Sequence, residues 1–208
     1  GNTTVVTDTL NYTRTFTYDA QNNLTSETDP RGHTTSYTYD ANGNLETRTD
    51  ALSHATTWTY NAYGQVLSTV DARSHTTTFS YDTYGYQASV TDALDHTASF
   101  SHDLLGRRLS ETDALGRSVT YTYDAANHLL TASEPLGKVT TYTYDDVGNR
   151  VSITDPRGGL TTFIYDEKDR LESVTDPLDH TTTYGYDAVD NQVSVTDPLT
   201  QTTVYGYD

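Results

Sequence analysis

Five histidines stand in one column of this chain: His33, His54, His75 and His96 at intervals of 21 residues, and His180 in phase with them. Four residues before each lies an acid, namely Asp29, Asp50, Asp71, Asp92 and Asp176. Imidazole and carboxylate both suit divalent ions, so a metal ladder is the first chemistry to weigh. The same column also holds Arg117, Lys138, Gly159 and Gln201, and a cationic side chain would repel a metal ion. The column therefore reads first as polar residues just past a turn, with metal binding the lesser alternative. The acids invite a second ion chemistry, calcium bridging. The unit lacks the dense Asp spacing of a dedicated calcium loop, and capping of turn amides accounts for the carboxylates better.

Catalysis has less to work with. Repeated Ser, His and Asp can be drawn as a triad, but no copy is distinguished from the others, and an enzyme needs one unique arrangement. The local oddity is His102, next to Asp103 in "SFSHDLLGRR"; a substitution tolerated by its column is the simpler reading. No catalytic, cofactor-binding or metal-ligating residue is assigned, no cofactor is expected, and the chain reads as non-enzymatic.

The elements that carry these columns follow from the repeat itself. Tyr18, Tyr39, Tyr60, Tyr81, Tyr123, Tyr144, Tyr165, Tyr186 and Tyr207 lie on one 21-residue grid, with His102 at the remaining position. Each is followed by an acid or its amide, from Asp19 and Asp40 through Asn61 to Asp208. Such a period indicates an array of small supersecondary units. Composition alone points elsewhere: mean hydropathy is -0.67 and net charge -17, a profile typical of disorder. Against that stand 18 tyrosines, whose rings supply buried area while their hydroxyls stay satisfied at a wet edge.

Four residues after the tyrosine come only Gly, Asn or Asp, as at Asn22, Gly43, Gly64 and Asp169. These residues best tolerate positive φ, and with Asp three residues earlier they predict a capped turn. Eleven residues after the tyrosine an acid recurs, usually before Pro or Ala, as in "DPRG" at Asp29 and "DALG" at Asp113. This is the signature of a type I turn. Between the turns lie two β-type runs. In "TTSYTYD" and "TTTFSYD" Thr alternates with aromatics, placing Tyr37 with Tyr39 and Phe79 with Tyr81 on one face. The other run, such as "LTSETD", keeps Ser or Thr eight places after the tyrosine.

The predicted fold is all-β: tandem 21-residue hairpins, residues 1–208 forming one continuous array, paired into a long antiparallel sheet that twist should coil into a spiral. A parallel β-helix is the competing geometry. The rings are expected to stack on one another between repeats and form the core, although the pairs Tyr121 with Tyr123, Tyr142 with Tyr144 and Tyr184 with Tyr186 also suggest glycan stacking. The absence of cysteine excludes a disulfide framework, no window is apolar enough for a membrane span, and the acidic balance argues against nucleic acid. With no methionine and no atypical end repeats, the sequence reads as a segment of a longer protein.

The unit "YDANGNLETRTDALSHATTWTY" or "YDDVGNRVSITDPRGGLTTFIY" resembles the YD repeat, also called the Rhs repeat, of bacterial Rhs proteins, wall-associated proteins, the cocoon component of insecticidal toxin complexes, and teneurins. The resemblance covers the whole chain. It implies hairpins strung into a spiralling sheet that in many members closes into a hollow shell around a toxic polypeptide. The expected function is thus a non-catalytic wall segment of a large secreted or surface protein that encloses or presents a polypeptide. The alternative is an extracellular filament or adhesin of the same repeats, possibly glycan-binding. Expected partners are further repeats of the same chain or identical copies, an enclosed polypeptide cargo, and, on the alternative, a surface glycan.

Overall fold

A computed structural model describes residues 2–208. The chain divides into two units, with the boundary between Phe100 and Ser101. The first contains β1 (Val5–Thr7), β2 (Thr13–Tyr18), β3 (Leu24–Thr28), β4 (Thr34–Tyr39), β5 (Leu45–Thr49), β6 (Ala55–Tyr60), β7 (Val66–Val70), β8 (Thr76–Tyr81), β9 (Gln87–Thr91) and the opening residues of β10 (Thr97–His102). The second continues with β11 (Arg108–Thr112), β12 (Ser118–Tyr123), β13 (Leu129–Glu134), β14 (Lys138–Tyr144), β15 (Arg150–Thr154), β16 (Leu160–Tyr165), β17 (Leu171–Thr175), β18 (Thr181–Tyr186), β19 (Gln192–Thr196) and β20 (Thr202–Val204). Within each unit every strand pairs antiparallel with the next in sequence. The all-β hairpin array is as expected, and the antiparallel ladders exclude the β-helix.

The two turns of each repeat are built by one device. In the first, the Asp40 amide donates to the Asn44 carbonyl and the Gly43 amide to the Asp40 carbonyl. Asp40 Oδ1 accepts from the amides of Asn42 and Asn44, both at 2.9 Å, and Gly43 has φ of 84°. In the second, Asp50 Oδ1 accepts from Leu52 at 2.8 Å and His54 at 2.9 Å, and Ser53 has φ of 67°. Both are three-residue loops closed by a left-handed residue, a form whose twist suits a hairpin. The carboxylate satisfies amides that the ladder cannot reach.

Glu134 shows what the aspartate does. Its carboxylate, one methylene further out, makes no cap hydrogen bond. The chain there tightens into a 3-10 turn at Pro135–Gly137, with Leu136 at φ 67° and ψ 23°, a left-handed conformation disfavoured for leucine. Asn61, by contrast, is a faithful substitute: its Oδ1 accepts from the amides of Tyr63 and Gln65.

A β-bulge recurs just before the first turn. Between β4 and β5 the register runs Ser36↔Thr49, Tyr37↔Arg48, Thr38↔Thr47 and then shifts to Tyr39↔Leu45, so Glu46 is the extra residue. On the other side of β4, the last paired residues toward β3 are Ser26↔Ser36. The tyrosine end of β4 thus projects past its ladder with β3, and the Tyr39 side chain spans the gap.

Neither unit has an interior. Among the described residues no hydrophobic side chain is fully buried, and Ser173, at 7% exposure, is the buried polar residue. The accessible area is 14000 Å², against roughly 9,600 Å² for a compact monomer of this mass. This corrects the expectation that the rings form a core. Each unit is a sheet with both faces uncovered, and the aromatic residues of its strands are half-buried.

Candidate functional site

The chemistry-bearing side chains lie along the two turn edges. On the second-turn edge, the histidine Nδ1 meets the Oδ2 of its own turn aspartate: His33 with Asp29, His54 with Asp50 and His75 with Asp71 at 3.0 Å, His96 with Asp92 and His180 with Asp176 at 3.1 Å. Successive pairs lie two strands apart, roughly 10 Å, so the imidazoles do not converge. No group of three or more His, Cys, Asp or Glu that could hold a metal ion occurs among the described residues. Arg117 in the same column makes the same contact, its Nη2 at 2.6 Å from Asp113 Oδ2. Histidine and arginine thus fill the same role in this column, donation to the second carboxylate oxygen of the turn aspartate. The amide of the residue four on is the largest of the influences holding Asp29, Asp50, Asp71, Asp92 and Asp176 below the ordinary carboxylate pKa.

The first-turn edge carries a column that sequence reasoning missed, five residues after the tyrosine. These side chains bond back to their own turn: Asn44 Nδ2 to Asp40 Oδ2 at 2.9 Å, Arg107 Nε to Asp103 Oδ2 at 2.6 Å, Asn191 Nδ2 to Asp187 Oδ2 at 2.9 Å. Several also reach forward to the next repeat. Gln65 Nε2 donates to the Gly85 carbonyl at 2.7 Å, Asn149 Nδ2 to Asp169 Oδ1 at 2.9 Å, and Arg107 Nη1 to the Asp124 carbonyl at 2.9 Å. Arg170 does both, pairing with Asp166 and, through Nη1, with Asp190 Oδ1, each at 2.6 Å. Its hydrogen bond is the main cause that brings the Asp166 pKa down to about 2. The column is legible only as a set of side chains that carry a donor, since Asn, Gln, Arg, His and Tyr86 share no other property.

The tyrosines fasten each repeat to the one before it. Tyr39 donates its hydroxyl to the Leu24 carbonyl at 2.9 Å, Tyr60 to Leu45 at 2.7 Å, Tyr81 to Val66 at 2.9 Å, and Tyr186 to Leu171 at 3.0 Å. The acceptor always lies 15 residues back, at the bulge, where the aromatic strand has left its ladder. Burial in this wedge raises the pKa of Tyr39, Tyr60 and Tyr144. The expected ring-on-ring stacking is replaced in three repeats by donors of the previous repeat. Arg107 lies 4.9 Å from the centroid of Tyr123, Arg170 lies 4.7 Å from that of Tyr186, and His128 stacks on Tyr144 at 4.6 Å. These are cation–π and stacked contacts that use the ring face a glycan would need.

The remaining candidates are placed as follows. Both oxygens of Asp103, beside His102, accept within its own turn, from the amides of Leu105 and Arg107 and from the Arg107 side chain. The face opposite the rings is paved with hydroxyl pairs, including Thr59 with Ser68 and Ser80 with Ser89 at 2.7 Å, and Thr28 with Thr34 at 2.8 Å. Such cross-strand pairs support the sheet. No helix is long and apolar enough to cross a membrane among the described residues.

Comparison with known proteins agrees with this architecture. The family model described as teneurin YD-shell matches residues 2–176, and that of the RHS repeat matches residues 165–202. No curated protein matches the sequence. Among solved structures, a crystal structure of TcdB2-TccC3-Cdc42 is similar at 17% identity over 89% of this chain, with a TM-score of 0.49. The Tc holotoxin pore of Photorhabdus luminescens is similar at 18% identity over 89% of this chain, with a TM-score of 0.38. The chain spans 14% of the length of each of these two. The repeats in which a tyrosine bolts one hairpin to the last and an aspartate closes the turn fall for the most part within the matched residues 2–176, and the chain belongs to the teneurin YD-shell family.

Proposed function

We propose that this chain is a stretch of wall, one continuous run of repeats in a larger secreted or surface protein that encloses or presents another polypeptide. The observation that carries the reading is that an ordered array exists with no fully buried hydrophobic side chain among the described residues. A globular domain gains its stability from an interior. This chain draws on ladders, turn caps and bolts between adjacent repeats, which is how a layer is built to any length. Such a layer partitions space rather than folding around a reaction centre, and the family assignment supports a non-enzymatic role. A toxic polypeptide is the cargo that the repeat pattern suggests.

The natural full-length protein tests the proposal. Electron microscopy should show a closed chamber, and limited proteolysis should leave an internal polypeptide intact until the repeats are cut. An open, thin filament with every segment equally cleavable overturns the wall reading in favour of a fibre.

A further inference from the structure

The hydroxyl face of the second unit has a break in it. The residue before the grid tyrosine is Thr or Ser at every repeat from Thr17 to Thr143, and then becomes Ile164 and Gly185. The position opposite stays Ser or Thr throughout, ending in Ser152, Ser173 and Ser194. Intact rungs bond across, as Thr122 does with Thr131 at 2.7 Å and Thr143 with Ser152 at 2.6 Å. At the next two rungs the register sets Ile164 against Ser173 and Gly185 against Ser194, so neither serine meets its usual partner. No side-chain hydrogen bond joins Ser173, Thr183 or Ser194 to another described residue. Ser173 is nevertheless only 7% exposed, and a hydroxyl so nearly shut off from water without a partner calls for one.

The missing side chain leaves a hollow of about 450 Å³. Thr183, two residues back on β18, bounds it along the strand, and Ser194 bounds it on the β19 side. On the β17 side stand Ser173 and the bulge residue Glu172, with Ile164 as an apolar wall beyond. A Cβ built on Gly185 falls on the Ser194 hydroxyl, so the serine leans into the space that a threonine fills elsewhere. The side chains that ring the vacancy thus offer three unpaired hydroxyls and one carboxylate, and no cationic side chain lines it. Hydroxyl oxygens can accept and a carboxylate can only accept. An anion would be repelled by Glu172. The group that suits such a ring is compact, positive and made of donors alone, which describes an ammonium with its three N–H bonds. An alkyl stem behind it would lie against Ile164.

We infer that the hollow at Gly185 is a binding site for a primary alkylammonium group, of the kind carried by a lysine side chain or a small diamine. The hollow opens on an uncovered face, so the charge keeps part of its hydration and a single contact is weak. The inference goes beyond the wall reading and does not depend on it.

Amide NMR of the 208-residue chain, titrated with Nα-acetyl-lysine N-methylamide in potassium chloride at fixed ionic strength, tests it. Saturable shifts should centre on Glu172, Ser173, Gly185 and Ser194 with a Kd on the order of 1–10 mM, and the same probe acetylated at its Nε should give none. Glu172→Gln should weaken binding about tenfold. Gly185→Thr puts back the residue of the earlier repeats, fills the hollow and gives Ser194 a partner. Gly185 does not take a left-handed φ and glycine weakens a strand interior, so this variant should abolish binding with its thermal midpoint unchanged or raised. Cadaverine bound more tightly than the lysine probe points to a small amine as the natural ligand, and equal or tighter binding of the lysine probe points to a polypeptide. The absence of saturable shifts up to about 50 mM, or equal shifts with the acetylated probe, overturns the inference. So do shifts spread over the turn aspartates and indifferent to Gly185→Thr, which would mark loose counterion binding to a chain of net charge -17.

Discussion

Tyr60→Phe isolates the bolt between repeats. The ring stays, so the apolar area buried in the wedge is conserved, and only the 2.7 Å hydrogen bond to the Leu45 carbonyl is lost. A neutral hydrogen bond contributes about 0.5–1.5 kcal/mol net, and a fully buried orphaned carbonyl would add about 1–3 kcal/mol. Tyr60 is only half-buried, so water can reach the carbonyl, and the expected loss is about 1 kcal/mol. Trp58 lies two residues away in β6 and is the single tryptophan, so its fluorescence during urea unfolding reports on this hairpin. With a slope of about 1–3 kcal/mol per molar urea, the midpoint should fall by roughly 0.3–1 M. Tyr63→Phe, whose side chain stands 88% exposed at a turn tip, is the control and should change nothing beyond about 0.5 kcal/mol. Tyr39→Phe and Tyr81→Phe act on separate hairpins and should add to Tyr60→Phe, giving about 3 kcal/mol in the triple variant. If Tyr60→Phe has the same midpoint as Tyr63→Phe, or the triple variant is no worse than the single one, the hydroxyl bond is not what fastens the repeats.

Glu134→Asp should bring the carboxylate within reach of the turn amides and release Leu136 from its left-handed conformation. We expect a gain of about 1 kcal/mol, or about 2–4 °C in Tm by calorimetry; a loss would mean that the tight turn is preferred for another reason. Arg170→Ala should let the Asp166 carboxyl rise from about 2 toward 3.8, followed by carboxyl NMR titration; an unmoved titration removes Arg170 as the cause. The turn aspartates, held low in the folded chain chiefly by bonds such as that from the His33 amide to Asp29, make stability depend on acid. Their contribution is complete above the unfolded carboxylate pKa of about 4. It is lost as the pH falls below that value through the lowered folded pKa, because there the unfolded chain binds protons that the folded chain refuses. Circular dichroism from neutral pH downward should show unfolding only below about pH 4, and stability that rises on acidification contradicts the capping argument.

Much of this molecule is legible without coordinates, because a strict period turns each physical rule into many parallel trials. The left-handed residue after Asp40, the second turn at Asp50 and the alternation around Tyr37 and Tyr39 all follow from local chemistry, and all are where the spacing puts them. Less visible is the purpose of the tyrosine. Its acceptor is a carbonyl 15 residues away, and the bond exists because a bulge at Leu45 opens the wedge, a feature that no side chain announces. The column of staples five residues after the tyrosine, whose side chains reach forward to the next repeat, hides for a different reason: Gln65, Arg107, Asn149 and Arg170 share a donor group but no residue type, so a search by identity passes over them. The histidine column misleads in the opposite sense. Histidine at five of its positions suggests ligation, whereas each of those rings meets the aspartate of its own turn.

Because the ladders, tyrosine bolts and staples described above reach no further than the adjoining repeat, the ribbon has a definite response to being pulled by its ends. Tension on a chain end loads one hairpin's ladder, one tyrosine bolt and one staple at a time, so the sheet should peel rather than shear. Each event would free 21 residues, about 70 Å of extended chain, and leave the next repeat with its own caps in place. A motor or translocating pore that seized one end could thus unravel such a wall at low, evenly spaced force, and a ribbon let go partway would have an intact template on which to rewind.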